Sequence, residues 1–542
     1  TEESSVKTFA KAKSLIQDGD IILLDSYVEV TNDETWTLSE FPNSKLQRNA
    51  GGDMIVVNPK ATLTLQNIVI DGTHYSDESV DIHSIVKLGK LAGNEADGSN
   101  LILQSGAILE NNCNNRGMGG AVSGFSYDTI TMEDGAIIRN NGILDKTAQF
   151  GGAIHLENHG TFTMNGGLIK NNHAVRGGGV CLIASSMIMN DGKIINNSAN
   201  SKDSYEGHYG GGIYVANFQD WSAVGGDYSR EIAGKASFTM NGGTISGNEA
   251  TYRGSNGDKG LGGAIATYPA FYAQHEKEPA ITDLFLFLFI ISTIATAMPA
   301  ITITINKGDI TQNKAINGGA ISAYFEATDV ILSNTNISNN EAKSQGGAIY
   351  GVFNSKITLK NTVVSQNKAS IGAGVYLHSS EMQMNSGELK ENTATSAGGG
   401  IYIDANSWNN KTAKCTILGG TVSGNKAKAG NGSDGIYQNS KLNIGEKALI
   451  DKNNDVYLPS NRVIDVIKPL ENITQENSVS ITSKDCVVED EQTKGTRLVN
   501  YHDEAGGIKA AENAEYQQLY IPSNYMREGL VIGKSQATDQ LN

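Results

Sequence analysis

The chain has little proline, little cysteine and no excess of positive charge, and each shortage excludes a class of protein. Its 542 residues include 8 prolines, and its 62 glycines have no period of three, so the sequence is not collagen-like. The 4 cysteines lie far apart without a CxxC pair, which argues against a disulfide framework and against a cysteine zinc site. With 58 acidic and 42 basic residues, the net charge of −16 argues against a nucleic-acid partner.

Motifs for cofactors and metals are also scarce. The sequence has no glycine-rich phosphate loop and no GxSxG nucleophile elbow. His155 and His159 have the spacing of helical zinc ligands, but they fall on a predicted strand and turn, where positions i and i+4 do not share a helix face. The stretch 451–455 resembles the start of a calcium loop, yet valine follows where that loop needs glycine. We therefore predict no metal site and no cofactor.

What the chain contains instead is a repeated block. It reads FTMNGGLI at 162–169 and FTMNGGTI at 238–245, with weaker copies from 303 and 382, and a tetrad such as GGAI follows each block. Neighbouring blocks are 25 to 27 residues apart where they are most regular. Alignment of the blocks predicts a series of equivalent turn asparagines: Asn111, Asn141, Asn172, Asn197, Asn248, Asn313, Asn340, Asn367, Asn392 and Asn425.

The repeat predicts an all-β fold, a right-handed parallel β-helix. Each block holds three short strand-like runs, for example at 186–190, 193–195 and 212–215, which is enough for one coil of a solenoid. Apolar residues alternate within the runs, asparagine suits a left-handed turn and can stack on the next coil, and paired glycines permit a sharp corner. A helical solenoid is the alternative, but the density of glycine and β-branched residues disfavours it.

Two groups of tetrads carry a family resemblance. The GGAI tetrads at 151–154, 262–265, 318–321 and 346–349 and the FxxN tetrads at 162–165 and 238–241 resemble repeats of chlamydial polymorphic outer-membrane proteins. They resemble even more the pectate-lyase-like right-handed β-helix repeats of surface proteins from gut Firmicutes. The resemblance spans about residues 101–440 and implies a bacterial surface or secreted protein. Adhesins, lyases and glycosidases share this scaffold, so the resemblance leaves the activity open.

Both ends of the repeat region are expected to carry caps, because an open β-helix end would template aggregation. Apolar residues at helical spacing predict a helix over Ser5–Gln17 and a first strand at Ile21–Leu24, so that 1–24 forms an N-terminal cap. The β-helix itself is predicted over 25–440, and 441–542 is predicted to add C-terminal strands, a strand cap and a tail. The chain begins at Thr1 without a signal peptide, which we interpret as a mature or trimmed sequence.

Three insertions interrupt the predicted coils, at 201–209, 217–236 and 269–300. The last one contains an uncharged apolar stretch from Leu284 to Ile305 that has the length of a transmembrane helix. We predict no transmembrane span, because Ile301–Ile305 already forms the next strand and GGAI coils occur on both sides. An inserted helix or hairpin packed on the coils is expected, and a docking surface for a partner chain at 284–300 is the alternative.

These insertions hold the candidate site, because departures from a repeat are where function is expected. Equivalent corners of adjacent coils should bring their aromatic and charged side chains into one cleft. The candidate ligand-binding residues are Tyr205, His208, Tyr209, Trp221, Tyr228, Arg253, Asp258, Tyr268 and Tyr272. Asp220 and Asp227 are candidate catalytic carboxylates of a retaining glycosidase. Their spacing also resembles the Asp-x6-Asp arrangement of β-helical lacto-N-biosidases of glycoside hydrolase family 136.

Three functions therefore remain open at the level of sequence. The first is an extracellular, secreted or cell-wall-attached binding module, adhesin-like, that presents the loops to a glycan or a host surface protein. The second is a glycoside hydrolase acting on complex oligosaccharides through Asp220 and Asp227. The third is a structural spacer without a cleft. The carboxylate geometry of the aspartate pair distinguishes the first two.

Overall fold

The structure, a computed structural model, is almost entirely built of parallel β-strands. It describes residues 6–73, 80–89, 97–114, 118–142, 150–200, 207–217, 235–251, 260–267, 300–324, 328–407, 410–428, 433–451, 453–471, 479–483, 499–502, 508–509 and 519–520. By their internal contacts the residues divide into two units, Thr1–Asp309 with Asn313–Ile316 and Ile310–Gln312 with Asn317–Asn542.

The first unit begins with a short helix, α1 (Phe9–Lys13). Thr8 is its N-cap, with Oγ1 accepting a hydrogen bond from the Lys11 amide at 3.3 Å. Phe9 is buried and stacks on Trp36, with 4.6 Å between ring centroids. The helix predicted over Ser5–Gln17 was too long, and Leu15, predicted on its buried face, is 52% exposed. The first strand, Ile21–Leu24, lies where the sequence predicts it.

The strands of the first unit form three long stacks, numbered in the order in which the chain visits them within a coil. Stack 1 consists of Val28–Val30, Ile55–Val57, Val86–Leu88, Val122–Gly124, Ile154–Glu157, Val180–Ile183, Ile213–Ala216 and Ile265–Thr267. Stack 2 consists of Glu34–Thr37, Thr62–Gln66, Asn100–Leu103, Thr129–Met132, Thr161–Met164, Ser186–Met189, Ser237–Met240 and Ile301–Ile305. Stack 3 consists of Ile21–Leu24, Lys45–Arg48, Ile68–Asp71, Ala107–Glu110, Ile137–Arg139, Leu168–Lys170, Lys193–Ile195 and Thr244–Ser246.

Shorter strands complete the first unit. His208–Tyr209 pairs in parallel with Gly260–Leu261, and Glu249–Ala250 pairs with the first residues of Lys314–Asn317. The strands Gly308–Thr311 and Lys314–Asn317 each contain residues of both units. The three runs predicted for one repeat correspond to Ser186–Met189, Lys193–Ile195 and Ile213–Ala216, one from each stack, so that the repeat was interpreted correctly.

The second unit has the same plan. Its stack 1 consists of Ile321–Tyr324, Ile349–Val352, Val375–His378, Ile401–Ile403, Ile436–Gln438, Val456–Leu458, Val479–Ser483 and Leu519–Tyr520. Stack 2 consists of Thr328–Ser333, Lys356–Lys360, Glu381–Met384, Lys414–Ser423, Lys441–Ile450, Ile464–Leu470 and Val499–His502. Stack 3 consists of Thr335–Ser338, Thr362–Ser365, Gly387–Lys390 and the second halves of Lys414–Ser423 and Lys441–Ile450.

A fourth, shorter stack and one antiparallel pair complete the second unit. The fourth stack consists of Glu341–Gln345, Lys368–Ile371, Thr393–Ala397 and Lys426–Ala427. Val499–His502 and Ile508–Lys509 run antiparallel, unlike the stacked pairs. Long stacks of parallel strands to which the chain returns in every coil are consistent with a β-helix.

The strand residues alternate between the interior and the outside, as the sequence predicts. In Thr161–Met164 the side chains of Phe162 and Met164 are fully buried, whereas Thr161 and Thr163 are partly exposed. Isoleucine, valine, leucine, phenylalanine and methionine fill most of the inward positions, with Trp36 and Cys415 among the others. Burial of one side chain in two supplies a continuous apolar core along each unit.

The paired glycines have two different reasons for being glycine. Gly151 has φ +66°, a left-handed conformation that a side chain would strain. Gly152 is restricted by space, since a Cβ atom there would lie 2.2 Å from the Gly178 carbonyl oxygen of the next coil. One position of the pair therefore turns the chain and the other permits close stacking.

Buried asparagines form a ladder at the turn that follows stack 3. In the first unit, Asn141 donates from both its amide and Nδ2 to Asn172 Oδ1, at 3.0 and 2.9 Å. The same paired contact recurs at each rung in both units, from Asn172 to Asn197, Asn197 to Asn248, Asn248 to Asn313, Asn340 to Asn367, Asn367 to Asn392, Asn392 to Asn425 and Asn425 to Asn454.

The ladder corrects the predicted register at its ends. Asn112, not Asn111, is the member that donates to Asn141 Oδ1, and Asn454 is a further member that the sequence alignment missed. Asn111 instead holds the left-handed turn, with φ 57°. Turning the chain and stacking the amide are therefore tasks of two neighbouring residues, whereas the sequence interpretation assigned both to one.

Candidate functional site

Two of the predicted ligand-binding residues, His208 and Tyr209, lie among the described residues, and both are buried in a short strand of the first unit. They are the last two residues of the predicted insertion at 201–209, and they pair in parallel with Gly260–Leu261. The other predicted ligand-binding and catalytic residues lie outside the described residues: Tyr205, Asp220, Trp221, Asp227, Tyr228, Arg253, Asp258, Tyr268 and Tyr272. The apolar stretch 284–299 also lies outside them, whereas Ile301–Ile305 forms the predicted strand.

The described flanks of the insertions meet at two corners of the first unit. Asn217 Oδ1 accepts a hydrogen bond from the Ala236 amide at 2.7 Å, so the chain leaves and re-enters its coil at one point. Thr267, after which the next insertion begins, is in register with Val215 of the paired strand. At the other corner, Asn200 Oδ1 accepts a hydrogen bond from the Thr251 amide at 2.7 Å. The corner at Asn200 and Thr251 precedes the stack 1 strands in the chain, and the corner at Asn217 and Thr267 lies at their C-terminal ends.

Between these corners the outward side chains of stack 1 are buried. Register places Ser123, His155, Cys181, Tyr214 and Ala266 in one row across five coils. Each is at most 3% exposed, although outward positions of a sheet usually face solvent. We call these five residues the outer row. A covered row that contains histidine, cysteine and tyrosine is the most distinctive feature of this unit.

His155 and Glu157 are the ionisable centre of this region. The imidazole Nε2 lies 3.5 Å from Glu157 Oε2, and both side chains are almost fully buried. Among the described residues, no group hydrogen-bonds to His155 Nδ1, although that atom is buried. Phe125 and Phe150 contact the imidazole in tilted orientations, with centroids 6.1 and 5.9 Å away. A buried polar atom without a partner costs about 1–3 kcal/mol, which marks His155 as a candidate functional group.

Aromatic rings and one guanidinium group border the outer row. Arg176 lies between the rings of Phe150 and Tyr209, with Cζ 5.2 and 5.5 Å from the two centroids. Tyr209 stacks on Tyr214 of the outer row at 5.9 Å. These contacts join the strand that holds His208 and Tyr209 to the outer row, which the sequence analysis did not anticipate.

Cys181 lies beside His155 in the outer row. Burial raises the pKa of its thiol well above the usual value, an effect that Glu157 reinforces and Arg176 opposes. A thiol that stays protonated is a poor nucleophile and a poor metal ligand. Within the described part of the chain, no group of three or more histidine, cysteine or acidic residues could hold a metal ion.

The second unit has a different outer surface on its stack 1, a ladder of stacked tyrosines. Centroid separations between neighbours are 5.5, 5.5, 4.6 and 5.2 Å, and ring planes differ by 26° or less. The ladder consists of Tyr350, Tyr376, Tyr402, Tyr437 and Tyr457. Stacked rings cover one another's faces, so the ladder offers ring edges rather than the open face that a sugar ring would contact.

Asp404 organises the middle of the tyrosine ladder. Its Oδ2 accepts hydrogen bonds from Tyr376 Oη at 2.7 Å and from His378 Nδ1 at 3.0 Å, and Asn406 donates to Oδ1. Burial alone would raise the pKa of Asp404, but the hydrogen bonds from His378, Tyr376 and Asn406 outweigh it and hold that pKa well below its usual range. Burial and the neighbouring carboxylate raise the pKa of Tyr376.

Comparison with known proteins leaves the family open. No protein-family model matches the chain, and no curated protein matches it. In the described ranges, no helix has both the length and the hydrophobicity needed to cross a membrane.

The residues that the sequence analysis missed share one signal. His155, Cys181 and Tyr214 each follow directly after the Ile or Val of a tetrad such as GGAI. That position is outward on stack 1, so aligning it across the repeats would have identified the outer row and, in the second unit, the tyrosine ladder. Arg176 precedes the tetrad at 177–180 and offers no comparable signal.

Proposed function

We propose that this protein is an extracellular, adhesin-like binding protein, secreted or attached to the cell wall. In this proposal the parallel stacks form a right-handed β-helix, α1 caps its N-terminal end, and the strands from 441 onward close its C-terminal end. The ligand is a complex glycan or a host surface protein, taken up on the first unit between the two insertion corners. The assignment to the cell surface depends on the resemblance of the repeats.

A single observation carries the proposed site. The outer row is buried on a face that usually meets solvent, and it contains His155 with a buried Nδ1 atom that lacks a hydrogen-bond partner among the described residues. A buried polar atom without a hydrogen bond costs free energy that an apolar residue of similar size would not cost. A ligand that hydrogen-bonds to the imidazole would recover that free energy.

The surroundings of His155 favour a glycan. Phe150, Tyr209 and Tyr214 supply aromatic side chains, and Glu157 and Arg176 supply charged hydrogen-bonding groups close by. All of these except Arg176 are buried, so a glycan has to open the outer row to reach them. Apolar rings combined with a few convergent polar groups are typical of sites for sugar-like ligands. The insertions add further aromatic and acidic residues in the sequence, among them Trp221 and Tyr228.

Retention of labelled oligosaccharides on the immobilised full chain tests the proposal. We expect wild type to retain at least one neutral or acidic host-type glycan, and Trp221→Ala and Glu157→Gln to weaken that retention at least tenfold. Asn385→Leu, at an exposed position of the second unit, serves as the control and should bind like wild type. Equal retention by all four chains would refute a site on the first unit.

A glycoside hydrolase is the second candidate function. What favours it is the spacing of Asp220 and Asp227 in the sequence, which resembles the Asp-x6-Asp arrangement of β-helical lacto-N-biosidases. Asp220 and Asp227 remain the proposed nucleophile and acid/base pair. Release of sugar from aryl glycosides or host oligosaccharides, lost in both Asp220→Asn and Asp227→Asn while binding persists, would establish this activity over simple binding.

A further inference from the structure

The outward face of stack 2 in the first unit is an ordered array of small hydroxyl side chains. Seven strands, from Thr62–Gln66 to Ile301–Ile305, pair without a shift of register. Their first outward column is Thr62, Asn100, Thr129, Thr161, Ser186, Ser237 and Thr302. The second column is Thr64, Ile102, Thr131, Thr163, Ile188, Thr239 and Thr304. We call these two columns the threonine face.

All residues of the threonine face are at least partly exposed, and none of them is charged. This is unusual for a protein with a net charge of −16. Stack 3 of the same unit carries Lys45, Asp71, Glu110 and Arg139 at its outward positions, paired as ions. A preference of strands for threonine does not explain the difference, because both stacks share the same strand geometry.

The second unit provides the same contrast for stack 2 itself. There the outward column equivalent to the first one contains Asp329, Lys356, Glu381, Lys414 and Lys441. Charged side chains are therefore tolerated at this position of a coil. The absence of charge from the first column of the threonine face is therefore specific to the first unit, whereas the second column is uncharged in these five strands of the second unit as well.

Hydrogen bonds hold the threonine face and its border in place. Thr129 Oγ1 donates to Asn100 Oδ1, and the hydroxyls of Thr161 and Ser186 lie 3.4 Å apart. A third column of exposed asparagines borders the face, with amide contacts of 2.8 to 2.9 Å linking Asn165, Asn190, Asn241 and Asn306. The buried asparagine ladder, at the turn after stack 3, links the same coils. The array is therefore regular across its seven strands.

We propose that the threonine face binds ice. Neighbouring hydroxyls repeat about every 4.8 Å across the strands and about every 6.7 Å along them. These repeats are of the order of the oxygen spacings in the surface planes of ice, and threonine presents a methyl group beside each hydroxyl. An uncharged face avoids the tightly held hydration shell of an ion, which would not fit an ice lattice. The inference is independent of the proposed glycan site, because it uses stack 2 and not the outer row.

Thermal hysteresis and partition of the full chain into slowly growing ice test this proposal. We expect wild type to depress the freezing point below the melting point and to enrich in the ice fraction several-fold over serum albumin. The double variant Thr163→Lys with Thr239→Lys should lose hysteresis at least tenfold, because two charges then stand in the second column. Thr358→Lys changes an outward stack 2 residue of the second unit and should behave like wild type.

Circular dichroism melting confirms that each variant is folded, which the partial exposure of Thr163, Thr239 and Thr358 leads us to expect. A wild-type chain without hysteresis and without enrichment in ice would overturn the proposal. Equal loss in Thr358→Lys and in the double variant would overturn it too. Co-sedimentation with microcrystalline cellulose is measured in parallel. If wild type bound cellulose and not ice, the ligand of the threonine face would be an ordered polysaccharide instead.

Discussion

Arg48 donates from Nη2 to Asn112 Oδ1 at 3.0 Å and thereby ends the asparagine ladder of the first unit. The same guanidinium donates to the carbonyls of Ala50, Gly52 and His83. Burial lowers the pKa of Arg48 to about 10, so the group is still charged at neutral pH. One arginine thus satisfies acceptors of several coils where the next asparagine is missing.

The first prediction concerns this arginine. Arg48→Met should lower the free energy of unfolding by on the order of 2–4 kcal/mol, because several buried acceptors lose a charged donor. Arg139→Met is the matched control, since Arg139 is one-third exposed and pairs with Glu110 at the surface, where a salt bridge contributes about 0–1 kcal/mol. Denaturant unfolding of both chains measures the difference. Similar losses in the two variants would contradict the assigned role.

The second prediction concerns the ladder in the second unit. Asn367 is fully buried, with Nδ2 donating to Asn392 Oδ1 at 2.9 Å and to the Ile337 carbonyl at 3.0 Å. Asn367→Leu should cost about 1–3 kcal/mol through the polar groups that it leaves without partners. Asn385→Leu, at an exposed position, should change the melting temperature little. The idea of a stabilising ladder fails if both variants melt together.

The sequence was informative wherever one local rule sufficed. Strand positions, inward alternation and the strand at Ile301–Ile305 follow from side-chain period and β-branched composition, which act residue by residue. The ladder was displaced by one position at Asn111 because Asn112 is also asparagine, and no local rule distinguishes them. Asn454 was missed because the glycine pair had ended by then, although the stacking continues.

Long-range relationships were the part that the sequence could not provide. Arg48 and Asn112 are far apart in the chain, and their contact depends on how coils of unequal length stack. The burial of His155 likewise depends on what covers the outward face of stack 1, not on its own strand. The prediction of α1 failed in the opposite way. Apolar residues continue at helical spacing beyond Lys13, but the helix ends there, and it is Phe9 that stacks on Trp36.

The third prediction is a pH dependence centred on Asp404. Its pKa is depressed in the folded chain, so its contribution to stability is complete above the unfolded pKa of about 3.9 and is lost as the pH falls toward the folded value. The melting-temperature difference between wild type and Asp404→Asn should be constant from pH 6 to about pH 4.5 and shrink below that. A difference that grew on acidification would show that the hydrogen bonds of His378 and Tyr376 do not stabilise the carboxylate.

The fourth prediction concerns thiol chemistry. Burial raises the pKa of Cys415 to about 12 and that of Cys181 well above its usual value, so neither thiol should react with Ellman's reagent in the native chain. In a Cys486→Ser background, which leaves three cysteines, we expect almost no labelling before unfolding and complete labelling in denaturant. Rapid native labelling of Cys181 would mean that the outer row is accessible to solvent.

The last prediction separates a functional role of His155 from a structural one. If a ligand satisfies Nδ1, the empty chain keeps a buried polar atom that has no partner among the described residues. Replacing both members of the buried pair, His155→Leu with Glu157→Met, should remove that penalty without leaving a buried carboxylate unpaired. The variant should then melt at the same or a higher temperature than wild type, yet retain glycan at least tenfold less well. His378→Leu provides the control, because it deprives Asp404 of a donor in the second unit and should lower the melting temperature while leaving glycan retention unchanged. A double variant that melts lower and binds normally would make the pair structural and would remove the main support for a site on the outer row.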